Sequence, residues 1–165
     1  MTVRRVILLG CAGGGKTTLA RDLGLMAGLP VLVLDEIWPQ FDGNLQAFRA
    51  SIALSHAAPA WVSDGNFAVA TFDLRLPQAD LIVWLDRPVW QCMLRAVLRT
   101  LSPAAFHKMG DLGKVMRFIW NFARVNRPRI EAARLAYGPN VPVIHLRNDH
   151  QVGQFLDEFG PAHSD

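Results

Sequence analysis

Lysine is nearly missing from this chain. Of its 17 basic residues only Lys16, Lys108 and Lys114 are lysines, and the rest are arginine. Arginine grips phosphate and carboxylate groups with two parallel hydrogen bonds, although a genome-wide preference for arginine would give the same ratio. Cysteine is as sparse. Cys11 and Cys92 cannot build a disulfide scaffold, so a reducing cytoplasm is the expected home. Long apolar runs are absent. The longest is Leu81 to Leu85, against about 18 residues or more for a membrane-spanning helix. After Arg4 and Arg5 the apolar stretch Val6 to Leu9 is shorter than the roughly 7–15 residues of a secretory signal core. No block of consecutive basic residues occurs, which places nucleic acid outside the expected partners. No repeat, low-complexity tract or linker divides the chain, so residues 1–165 read as one domain. What is present is apolar material. At 51% hydrophobic and 19% charged residues, the chain can bury a core, and overall disorder is excluded.

Apolar runs and helical periods alternate. Val3–Leu9, Val31–Leu34, Ala60–Ser63, Leu81–Leu85 and Val141–Leu146 read as buried strands. Between and after them, helices are expected over Lys16–Met26, Leu45–Ala57, Pro88 to about Arg99, Lys114–Ala123, Pro128–Tyr137 and Gln151–Phe159. Gly28 caps the first and Pro88 opens the third. Strands separated by helices imply an α/β fold with a parallel sheet covered on both faces. Ligands of such sheets bind beyond the carboxyl ends of the strands, which here fall at Gly10, Asp35, Asp64, Asp86 and Arg147.

The first of those ends carries a complete motif. Gly10-Cys11-Ala12-Gly13-Gly14-Gly15-Lys16-Thr17 matches G-x-x-x-x-G-K-[ST] and lies between a strand and a helix. Glycines let the backbone turn its N–H groups around an anion, and the helix adds its positive end. Lys16 can reach the β- and γ-phosphates, and Thr17 can give its hydroxyl to Mg²⁺. ATP and Mg²⁺ are therefore the expected cofactors. Thr18 is either a further phosphate contact or a helix residue. Cys11 is read as a small residue of the loop rather than a reactive thiol.

Around this loop the sequence offers carboxylates and arginines. Asp64, ending the third strand, has the place of a carboxylate that serves magnesium, although Asp64-Gly65 also fits an ordinary turn. Asp35 can take the proton of an acceptor hydroxyl, or cap a turn. Asp86, directly before a helix, is explained by capping. Arg95 and Arg99 share one helical face. They precede an insert, Ser102–Gly113, that reads as a mobile lid, and Arg124, Arg127 and Arg129 follow it. Of these cations, Arg95, Arg99 and Arg127 are taken as the ones that neutralise charge during phosphoryl transfer. Trp38, Trp84, Trp90 and Trp120 are expected to pack in the core or under the lid.

Further residues give a resemblance. After the phosphate loop come Leu34-Asp35-Glu36-Ile37-Trp38, Ser63-Asp64-Gly65-Asn66-Phe67, Asp73-Leu74-Arg75-Leu76, Ala79-Asp80, Leu85-Asp86-Arg87-Pro88, Ile119-Trp120-Asn121-Phe122, Arg127-Pro128 and His145-Leu146-Arg147. Over nearly its whole length the chain resembles the bacterial DNA topology modulation protein family, a branch of P-loop kinases related to adenylate kinase. The resemblance implies a three-layer fold with a five-stranded parallel sheet in the order 2-3-1-4-5. It also implies an acceptor region around Ile37–Trp61 and a lid around residues 100–127. Asp64-Gly65 resembles the start of the adenylate kinase motif Asp-Gly-Phe-Pro-Arg, but Asn66-Phe67 replaces the rest, leaving Arg75 as a substitute for the acceptor arginine.

The expectation is an ATP-dependent phosphotransferase acting on a small, hydroxyl-bearing acceptor, as a monomer or a homodimer. A nucleoside monophosphate kinase and a nucleotide-binding regulator of DNA topology are the alternatives.

Overall fold

The structure, a computed structural model, describes residues 3–100 and 112–159, with the side chains at positions 68, 69, 99 and 100 left aside. Five strands form one sheet: β1 (Arg5–Gly10), β2 (Val31–Val33), β3 (Trp61–Asp64), β4 (Leu81–Leu85) and β5 (Val143–Leu146). All pairs are parallel and the order is β2-β3-β1-β4-β5, as expected. The most apolar strands take the centre. Val6 to Leu9 of β1 are fully buried between β3 and β4. Leu8 is in register with Asp64, and Gly10 with Leu85, so the phosphate loop leaves the middle of the sheet beside Asp64.

The period of two along each strand divides the core. Val6, Leu8, Val62, Val83 and Leu85 pack under α1 (Lys16–Ala27) and the later α8 (Asp149–Phe159). Ile7, Leu9, Trp61, Ile82 and Trp84 face the other layer. That layer contains α4 (Ala68–Arg75), α5 (Val89–Thr100), α6 (Leu112–Asn121) and α7 (Arg127–Tyr137). A third cluster joins α2 (Leu34–Ile37) to α3 (Leu45–His56) through Leu34, Phe48 and Ile52, with Trp38, Phe41 and Phe67 around them. The Trp38 and Phe48 rings meet edge to face at 5.0 Å. Asn44 caps α3 by accepting from the Ala47 N–H at 3.0 Å, and Gly28 ends α1 at φ 63°.

Several expectations are corrected. β2 stops at Val33, and Asp35 lies in the first turn of α2 rather than at the strand end. Helix α4 is not among the expected helices, because its buried Thr71 and Arg75 break the apolar pattern. Trp84 is buried and Trp38 packs on Phe48, but Trp90 and Trp120 are 64% and 66% exposed. Cys92 and Ala96 occupy the inward side of α5, and Ile119 that of α6, which turns those two tryptophans outward. Of the insert Ser102–Gly113, residues 102–111 lie outside the described residues.

Candidate functional site

The phosphate loop is shaped by close backbone contacts. Gly10 has φ 140° and Gly13 φ 77°, conformations that favour glycine. A Cβ at Gly10 would lie 2.5 Å from the Leu85 carbonyl oxygen, and one at Gly13 would lie 2.4 Å from that of Cys92. Lys16 opens α1 and is almost buried, its Nζ donating to the Cys11 carbonyl at 3.0 Å. The Thr17 hydroxyl donates to Asp64 Oδ2 at 2.5 Å. Thr18 is exposed and lines the cleft. The Cys11 thiol shares a hydrogen bond with Cys92, and this contact and burial push its pKa up. Both cysteines are free and buried.

Two side chains brace the loop from its flanks. From the β3 side, Asn66 accepts the Gly10 N–H at 3.2 Å and donates to the Gly10 carbonyl at 2.9 Å. From the β4 side, Arg87 Nε donates to the Gly14 carbonyl at 2.8 Å and its Nη2 to Asp149 Oδ1 at 2.6 Å. Neither brace is part of the consensus motif. The polar runs Ser63-Asp64-Gly65-Asn66 and Asp86-Arg87 at two strand ends were the available signal.

Asp64 is 1% exposed and its Oδ1 has no hydrogen-bond partner. Burial pushes its pKa up, opposed by Lys16, the Thr17 hydroxyl and Arg75. A buried carboxylate oxygen beside a threonine hydroxyl is a hard donor set that fits magnesium, which takes few protein ligands and completes its shell with phosphates and waters. Among the described residues no group of three or more His, Cys, Asp or Glu gathers as an all-protein metal cage. The first N–H groups of α1, which lack intrahelical partners, and the glycine turns suit phosphate oxygens.

In front of the loop lies a cleft of about 680 Å³. Lys16, Thr17 and Thr18 form one part of its lining, Asp35 and Asn66 another, and Phe67, Ala70, Phe118 and Ile130 an apolar part. Arg95, Asn126 and Arg129 complete it. The expected arginines divide. Arg95 lines the cleft while donating to Asp149 at 2.8 and 2.9 Å. Arg99 is the penultimate residue of α5, but its side chain lies outside the described residues. Arg127 is not in the cleft lining. Its guanidinium donates to both Asp86 oxygens at 2.6 and 3.0 Å and lies 5.6 Å from the centre of the Trp84 ring. Arg129, two positions on, takes the place expected for Arg127, because both lie in the first turn of α7 and each step turns the helix by about 100°. Asp86 therefore holds Arg127, with His145 Nδ1 at 3.7 Å, and since α5 begins only at Val89, the pairing with Arg127 rather than the expected capping occupies its carboxylate. Arg75 is fully buried and faces the loop after β3, so it is not the substitute acceptor arginine.

No protein-family model matches the chain, and no curated protein does. Among solved structures, a shikimate kinase from Bacteroides thetaiotaomicron is similar at 18% identity and a TM-score of 0.63, over 94% of this chain and 96% of that one. A shikimate kinase from Acinetobacter baumannii, solved in complex with shikimate, is similar at 18% identity and a TM-score of 0.60, over 95% of this chain and 90% of that one. The chain thus has the P-loop kinase fold, with the sheet order of that fold complete.

Proposed function

We propose that the protein is an ATP-dependent phosphotransferase whose acceptor is a small molecule bearing a hydroxyl group, with residues 1–165 as one kinase unit and residues around 100–127 as its lid. The observation that carries this reading is the cleft itself, which brings Lys16 and Thr17 of the phosphate loop together with the exposed carboxylate of Asp35. The likeness to kinases of the same fold supports it.

When bound, a nucleoside triphosphate with magnesium supplies the transferable phosphoryl group and part of the charge neutralisation. Gly10 to Thr18 form its cradle. Thr17 and Asp64 hold the metal. Lys16 exchanges its contact with the Cys11 carbonyl for phosphate oxygens. Arg95, Arg129 and, from the end of α5, Arg99 neutralise charge that builds up on transfer. Asp35 orients the acceptor hydroxyl and accepts its proton. A phosphate acceptor would need cations on the acceptor side, and the arginine read there from sequence, Arg75, is enclosed in the core. The resemblance to the DNA topology modulation family agrees with a kinase-derived site and rests on the sequence motifs.

The test pairs two measurements on Asp35→Asn: ATP·Mg²⁺ binding by titration, and transfer to a panel of hydroxylated metabolites by mass spectrometry. Binding is expected to stay near wild type while transfer falls roughly 10²–10⁴-fold, the range of general acid–base catalysis. Transfer at the wild-type rate would remove Asp35 from the reaction.

A further inference from the structure

Arg75 has no part in the proposed transfer, yet it is among the largest fully buried side chains of the molecule. Among the described residues no carboxylate is hydrogen-bonded to its guanidinium, and the charges of Asp64 and Asp35 act on it only through space. It donates from Nε to Thr71 Oγ1 at 3.0 Å and from Nη1 to Ser63 Oγ at 3.1 Å. Its Nη2 donates to the carbonyls of Gly65 and Asn66 at 3.1 and 3.0 Å. Burying a cation without a carboxylate in contact is costly, and an apolar side chain of similar volume would fill the space without that cost. Space filling therefore does not account for an arginine here. A planar fork with five donors does, because it reaches four oxygens on a helix, a strand and a loop at once.

The direction of each hydrogen bond fixes one end of this assembly. Arginine only donates, so Ser63 Oγ accepts from it; the Ile52 carbonyl only accepts, so the neutral His56 ring carries its proton on Nδ1 and its Nε2 accepts from the Ser63 hydroxyl at 2.9 Å. His56 Nδ1 then donates to the Ile52 carbonyl at 2.8 Å, anchoring the chain in α3. The other end is the loop. Arg75 holds the carbonyl of Asn66, and the Asn66 amide closes on both main-chain groups of Gly10. Gly10 is the residue at which the sheet turns into the phosphate loop.

We infer that Arg75 is a positioning residue for the phosphate loop: by fixing the Gly65–Asn66 turn it sets the Asn66 amide on Gly10, and through Gly10 the backbone that receives phosphate. The inference rests on the reading of the cleft as a nucleotide site. It assigns Arg75 to nucleotide affinity, without contact with either substrate.

The experiment is a double-mutant cycle on ATP·Mg²⁺ binding by calorimetry, without acceptor, using Arg75→Lys, Asn66→Ala and the double variant. Lysine keeps the charge but concentrates its donors on one atom. Each single variant, shown to be folded by circular dichroism and cooperative urea unfolding, is expected to bind about tenfold more weakly. The double variant is expected to bind no more weakly than the weaker single, because Arg75 acts through Asn66. A residue that only stabilised the core would lower the urea midpoint and leave the affinity of the folded protein unchanged. That outcome, or additive losses, overturns the inference. If Arg75→Lys does not fold, Thr71→Val, which removes the acceptor of Nε, takes its place in the cycle with the same two outcomes. A wild-type protein that binds ATP·Mg²⁺ and phosphorylates no acceptor overturns the kinase reading, while the affinity cycle still decides the role of Arg75. A wild-type protein that does not bind ATP·Mg²⁺ overturns both.

Discussion

The two flanks of the phosphate loop are built on opposite principles. On the β3 flank, Asn66, Arg75, Ser63 and His56 form a chain of hydrogen bonds with Ser63, Arg75 and His56 closed to water and, among the described residues, no carboxylate hydrogen-bonded to them. On the β4 flank, the buried Arg87 holds Gly14 but reaches out to Asp149, which is 75% exposed and also binds Arg95. The first flank fixes geometry, because each of its members would lose a partner by moving. The second can exchange partners, because water and salt compete for Asp149. Arg95, which lines the cleft, belongs to the adjustable side.

Acid should break the closed flank first. Burial, aided by the charge of Arg75, lowers the His56 pKa from 6.5 to about 4. As pH falls, the unfolded chain takes up the proton before the folded one. Stability from this group is therefore complete above about pH 6.5 and is lost progressively down to about pH 4, by about 3 kcal/mol in all. Urea midpoints across that range check the loss, and the ring titration of His56 by NMR assigns it. A ring that titrates near 6.5 in the folded protein would remove the effect.

Between the flanks stands Lys16, and Lys16→Ala sharpens the comparison by leaving both braces in place. Loss of a charge-assisted contact to phosphate is worth roughly 1.5–3 kcal/mol. ATP·Mg²⁺ affinity should then fall by about one to two orders of magnitude, read by calorimetry, with retained cooperative urea unfolding as the control for the fold.

The smallest effect is expected on the open flank. Asp149→Asn leaves Arg87 bonded to Gly14 and weakens the hold on Arg95. Stability should fall by less than about 1 kcal/mol, as for exposed ion pairs. The dependence of the urea midpoint on salt between low and physiological ionic strength should shrink. A loss comparable with that of the closed flank would show that the two flanks are equally rigid.

The contrast also explains what was legible in the sequence. Leu81–Leu85 was read to the residue as β4, because a short apolar run between polar ends has few other uses. The phosphate loop was legible because glycines and Lys16 are required at fixed spacing. The braces were not, since Asn66 and Gly10 are 56 residues apart and Arg87 and Gly14 are 73 apart. Nothing local in the chain records such a pairing. The preference for Arg127 over Arg129 had no local basis, for a related reason. Which of them turns toward the cleft depends on the rotation of α7 and on an Asp86 that lies 41 residues away from Arg127. Arg75 was noticed only as a cation, because burial is a property of the packed helix α4 and not of the residue type.

The long reach of these braces bears on how the molecule assembles. β1 and the phosphate loop leave the ribosome before any of their partners, yet Val6 to Leu9 are fully enclosed in the finished sheet. Pairing of β1 with β3 waits for residues 61–64, and pairing with β4 for residues 81–85. Until then the nascent strand has no neighbour along either edge. Contacts so distant along the chain slow the search for the native state. The phosphate loop thus cannot take its final shape until at least residues 61–85 have been made, and the apolar strand that leads into it waits unpaired for that long.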